Sequence, residues 1–187
     1  MLTLLEVAQR TRGLPSWLPS YCDATVAGII SDARAAIGVC EDPPQSNRGV
    51  EIDAWNRARG ADVGSYWCAS FATSMWADNG AATAGVGHDP SCDQLMQWCV
   101  ATGRFSKVAA LGAFIFYGVP GDAKHVGIVQ RLAPYLTTIE GNAAWGGAFA
   151  TNGDCVISRR PVEASASILG YGHVAPLVKG GAMQVAA

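Results

Sequence analysis

Apolar positions recur at helical spacing from Asp23 to Gly38, where Val26, Ile29, Ile30, Ala33 and Ile37 share a face and Gly38 offers a stop signal. The stretch Glu41-Asp42-Pro43-Pro44-Gln45-Ser46-Asn47-Arg48-Gly49 has the composition of a loop. A short helix is expected over Val50–Arg59 with Ile52 and Trp55 inward, and Gly60–Ser65 reads as a turn. Cys68–Asp78 then reads as a helix that buries Phe71, Met75 and Trp76 and stops at Asn79-Gly80. Ser91–Thr102 supplies one more helix.

After Lys107 the pattern changes. Ala113–Tyr117, Val126–Gln130, Leu136–Glu140 and Cys155–Arg159 are short runs rich in β-branched and aromatic residues. Turn material separates them, including Val119-Pro120-Gly121-Asp122 and Gly141-Asn142. Connections this brief join antiparallel neighbours, because parallel ones need long crossovers. The expected fold class is α+β, N-terminal helices followed by a mostly antiparallel sheet.

Composition narrows this picture without changing it. The chain has 187 residues, half of them hydrophobic and 15% charged, enough for one domain with a real core. A net charge of −2 gives no basic field for nucleic acid or an anionic membrane. Met1–Arg12 carries Glu6 among its leucines, too short and too charged for a signal-peptide core. The longest nearly apolar run, between Lys107 and Asp122, falls short of the ~20 residues a membrane helix needs. The expectation is a monomer made in a cytoplasm without an export signal.

The six cysteines include no C-x-x-C pair, so neither zinc nor thioredoxin-like chemistry is indicated. Cys92 and Cys99 would share a helix face about 10 Å apart along the axis, too far to bridge. Buried free thiols are the expectation for at least four of the six.

Three stretches carry chemistry. In Tyr66-Trp67-Cys68-Ala69-Ser70-Phe71 a loop gives way to a helix, placing Cys68 where first-turn N–H groups and the macrodipole favour a thiolate and can hold an oxyanion. His125-Val126-Gly127-Ile128-Val129 sets a histidine at the entry to a buried strand. Ile139-Glu140-Gly141-Asn142 puts two polar groups at the end of the next strand, near His125 if the strands are antiparallel neighbours. Taken singly, each has a structural explanation: a core cysteine, a satisfied histidine, an ordinary turn. Together they supply a nucleophile, a base and a group to orient the base.

This combination resembles the CHAP family, the cysteine- and histidine-dependent amidohydrolases and peptidases of bacteria and their phages. Trp67-Cys68-Ala69-Ser70-Phe71, His125–Val129 and Glu140-Gly141-Asn142 match its nucleophile, base and E-G-N segments in order and at suitable intervals. Ala36-Ile37-Gly38 through Glu41, Ser46–Gly49 and Trp55 resemble the helix and loop that precede the nucleophile in one branch. The resemblance spans roughly residues 30 to 174. It implies a papain-like fold and hydrolysis of peptide or amide bonds of peptidoglycan. Cys68 would attack the carbonyl, His125 would move the proton, and Glu140 or Asn142 would hold the imidazole. Tyr66 and Trp67 are candidate substrate contacts, with packing as the alternative.

The expected boundaries are a helical extension over 1–29 packed on the domain, a catalytic domain over 30–178, and a flexible tail over 179–187. Some relatives carry an aspartate-rich calcium loop before the nucleophile, whereas Gly60–Trp67 holds only Asp62. The acidic pairs Glu41-Asp42 and Glu51/Asp53 lack loop-type ligand spacing, so no cofactor or metal is expected. His88 and His173 read as exposed and without a partner. The resemblance implies a phage lysis enzyme, an endolysin acting on the wall after release with a holin-type helper. Alternatives are an antibacterial effector with the same chemistry, a catalytically silent wall-binding or virion protein, and an amidase of a small thiol–polyamine conjugate.

Overall fold

Four helices precede a six-stranded antiparallel sheet among the residues described by the computed structural model, which are 23–86, 91–144, 153–161 and 167–177. The helices are α1 (Asp23–Ala35), α2 (Val50–Arg59), α3 (Cys68–Asp78) and α4 (Cys92–Ala101). The strands are β1 (Phe105–Ser106), β2 (Phe114–Val119), β3 (Asp122–Arg131), β4 (Thr137–Ala143), β5 (Cys155–Arg159) and β6 (Ile168–Gly172). They lie in the order β1-β6-β2-β3-β4-β5. The α+β architecture expected from the sequence is the one observed.

Local chemistry accounts for the helix limits. α2 stops at Gly60, whose left-handed φ of 76° an L side chain would resist. α4 starts with a capping box, in which Ser91 accepts from the Gln94 backbone and Gln94 returns a bond to the Ser91 N–H. α1 ends earlier than its apolar spacing suggests, so Ile37 is exposed and the Gly38 N–H bonds to the Val156 carbonyl of β5. It also runs through the boundary expected at residue 30. Ile29 and Ala33 belong to the main core, so no seam falls there. Residues 1–22, His88 and the 179–187 tail lie outside the described residues.

The helices cover one face of the sheet. Trp67, Phe71, Met75 and Trp76 of α3 and its entry meet Phe114, Phe116, Val126, Ile128 and Ile139. A smaller cluster on Ala113, Ile115, Tyr117, Val129, Leu136 and Tyr171 covers part of the other face. The β2–β3 hairpin pairs Phe116 with Val126 and Tyr117 with His125, which fixes where the histidine stands. Gly141-Asn142, expected as a turn, instead belongs to β4 at an irregularity in its pairing with β5.

A disulfide between Cys40 and Cys155 ties the loop before α2 to β5 across 115 residues of chain. In the loop-entropy picture a closure of this size stabilises the fold by about 4–5 kcal/mol. Cys68, Cys92 and Cys99 are free and buried. His173 is a correction: it is buried beside Ser106, 2.7 Å from that hydroxyl, because β6 folds back against β1.

Candidate active site

Cys68 is the first residue of α3. Its helix start has no side-chain cap and no acidic residue in the first turn, so the N–H groups there keep their positive potential for an anion. The sulfur lies 3.4 Å from the sulfur of Cys92, the first residue of α4. His125 and the backbone of Val126 lie near enough to act on its ionisation. The Cys92 hydrogen bond, then His125, hold the Cys68 thiol well below its usual range despite burial. The same contact, with burial, pushes Cys92 far up.

His125 is fully buried, and its Nε2 lies 3.0 Å from Glu140 Oε2. Burial alone would lower the imidazole pKa, but hydrogen bonds to Cys68 and Glu140 outweigh it and raise the value to about 9. The lowered thiol and raised imidazole favour a thiolate–imidazolium pair.

Glu140 is the hub. Tyr117 Oη and Thr138 Oγ1 each donate to Oε1 at 2.7 Å, while His125 and the Arg159 guanidinium engage Oε2. Four donors match the roughly four lone-pair sites of a carboxylate, so a charged Glu140 is satisfied without water. Burial would push its pKa up, yet His125 and Arg159 hold it far below the usual carboxylate range. Glycines make room for this hub. A β-carbon on Gly141 would lie 2.7 Å from the Trp67 ring and 2.9 Å from Phe71, so glycine there lets α3 press onto β4.

Cys68, His125 and Glu140 are therefore brought together, and Asn142 is not. Asn142 adopts a left-handed φ of 53°, accepts the Gly153 N–H at 3.0 Å and donates to Asn47 Oδ1 at 3.1 Å. It braces the strand end against the 41–49 loop. Trp67 is a core residue rather than a substrate contact. It is fully buried, donates its indole N–H to Glu41 at 2.9 Å and stacks on Trp55. Tyr66, two residues before Cys68, is 66% exposed and the better placed of the two to meet a ligand.

Comparison with protein-family models, curated proteins and solved structures returned no match.

The site thus rests on its own geometry. Sequence reasoning missed Cys92, Tyr117, Thr138 and Arg159. Thr138 could have been found, since it stands two positions before Glu140 on the same strand face. Tyr117 follows from the hairpin register once Pro120-Gly121 is taken as its turn. Among the described residues no group of three or more His, Cys, Asp or Glu gathers as a metal would require. Glu41 and Asp53 are engaged otherwise, Glu41 by Trp67 and the Asn47 N–H, Asp53 by Arg48.

Proposed function

We propose that this chain hydrolyses an amide or peptide bond of peptidoglycan by cysteine–histidine nucleophilic catalysis. The observation that carries the proposal is Cys68 at the start of α3 beside His125, whose Nε2 lies 3.0 Å from a Glu140 carboxylate that Tyr117, Thr138 and Arg159 also hold. The Cys68 thiolate attacks the carbonyl carbon, and the oxyanion forms at the uncapped start of α3. The imidazolium then protonates the leaving amine, giving a thioester that water, deprotonated by His125, resolves. Glu140 holds the ring and its charge throughout, and Arg159 and Tyr117 hold Glu140.

The wall substrate is supported by the likeness of the Trp67–Phe71, His125–Val129 and Glu140–Asn142 segments to CHAP enzymes. Within that reading the chain is a lysis enzyme of the endolysin type. Purified sacculi incubated with wild type should release soluble fragments, and Cys68→Ala, folded by circular dichroism, should release none. Alkylation of Cys68 should silence wild type equally. Fragment release by Cys68→Ala at the wild-type rate would end the proposal.

A further inference from the structure

The mechanism leaves one buried reactive group unused. Cys92 sits 3.4 Å from the nucleophile, sulfur to sulfur, and the two residues begin α3 and α4, so two helix N-termini converge on the pair. Both are nearly enclosed, at 5% and 7% exposure. A disulfide needs sulfurs about 2.05 Å apart, a small side-chain motion from this starting point.

We propose that Cys68 and Cys92 are a modification site, in which Cys92 is the resolving thiol that converts oxidised Cys68 into a reversible intramolecular disulfide. The oxidant is a peroxide, hardly larger than water and able to reach a sulfur this enclosed. The Cys68 thiolate attacks the peroxide; a sulfur–oxygen bond forms, the oxygen–oxygen bond breaks, and the departing hydroxide takes up a proton as water. Cys92 then attacks the sulfenic sulfur; the sulfur–sulfur bond forms and the sulfur–oxygen bond breaks. The second hydroxide leaves as water with the Cys92 proton. Two thiols lose two electrons and one hydrogen peroxide becomes two waters.

Among the described residues the other cysteines do not compete. Cys40 and Cys155 are already joined to each other. Cys99 lies two turns along α4 from Cys92, with its sulfur against Gly172, and burial pushes its thiol up to about 12. The disulfide would protect Cys68 from irreversible over-oxidation and hold the enzyme silent until reduced. That consequence rests on Cys68 being the nucleophile; the sulfur chemistry does not, and its test requires no wall substrate.

The folded protein, with Cys40–Cys155 intact and Cys68 and Cys92 as thiols, is treated with hydrogen peroxide, its remaining thiols are blocked in acid, and its peptides are mapped by mass without reduction. The expected result is a cross-linked pair of peptides bearing Cys68 and Cys92, lighter by two hydrogens than the two free peptides. Iodoacetamide labelling of Cys68 should vanish with it and return on adding dithiothreitol. Cys92→Ala should instead accumulate sulfinic acid at Cys68. The inference is overturned if wild-type Cys68 gains oxygen while Cys92 stays a thiol, if Cys68 pairs with another cysteine, or if neither sulfur changes. Cross-linking in a protein that never releases wall fragments would keep this inference and remove the proposed substrate.

Discussion

Glu140 lies across Gly127 on the neighbouring strand, so closely that a β-carbon there would stand 2.4 Å from the Glu140 Cγ. The glycine of the His-Val-Gly segment is thus the space in which the carboxylate turns toward His125. Gly127→Ala should fold but displace the carboxylate, and with it the imidazole. A misplacement of about 1 Å costs on the order of a hundredfold in rate. We expect a loss of that size in kcat for fragment release, with thermal stability reduced far less than by a core cavity.

Glu140 and Asn142 should separate by kind of defect. Glu140→Gln removes the charge that holds His125 protonated and leaves an amide donor facing Arg159. Activity should fall by about 10²–10⁴-fold, as for removal of an orienting carboxylate. Asn142→Ala touches no catalytic atom. It strips the Gly153 and Asn47 bonds and places alanine at a left-handed φ, so it should cost about 1–3 kcal/mol of stability. If Asn142→Ala is as stable as wild type but inactive, the orienting role belongs to Asn142.

The raised His125 pKa sets the alkaline limit. The folded value, about 9, exceeds the unfolded one near ~6.5, so the imidazolium's contribution to stability is fully present below ~6.5 and lost as pH rises through about 9. Turnover should fall over the same range, since the leaving amine needs the imidazolium proton. The depressed Cys68 thiol should keep iodoacetamide labelling fast well below the ~8.5 of a free cysteine. His125→Gln should shift that labelling profile upward, and an unmoved profile would show that the pair is not coupled.

Arg159 should matter for both stability and chemistry. Its guanidinium engages Glu140 and lies 5.7 Å over the Tyr117 ring. Arg159→Met leaves a buried carboxylate short of one cation, although Tyr117, Thr138 and His125 remain on it. The expected destabilisation is up to about 3 kcal/mol, below that of a fully stranded buried charge. Arg159→Lys should recover part of it, as measured by denaturant melts of the three proteins.

The sequence pattern located α2, α3 and β5 to the residue, because apolar spacing and turn chemistry are local signals, whereas β3 starts at Asp122, four residues before the expected Val126, so that His125 stands within the strand and not at its entry. β6 was not foreseen: Ile168–Gly172 holds two glycines, weak strand formers, and becomes a strand because β1 and β2 flank it. The Cys40–Cys155 bond and the Cys68–Cys92 approach were likewise illegible, being juxtapositions of distant segments that no spacing rule encodes. Glu140 and Asn142 were equivalent candidates in sequence. The pleat alone would set both on one face; what separates them is the left-handed backbone at Asn142, at the irregularity in the β4–β5 pairing, which aims its amide at Gly153 while Glu140 stays on the side of Gly127 and Thr138.

The bond that breaks tests the central claim most directly. A thiolate attacks acyl carbons, whereas glycosidic carbons require paired carboxylates and an oxocarbenium-like transition state. Sacculi digested by wild type should therefore gain free amino groups in step with fragment release and gain no reducing sugar ends. Cys68→Ala should produce neither. Reducing ends that rise with wild type and disappear in Cys68→Ala would contradict the assignment of Cys68 as an acyl-transfer nucleophile.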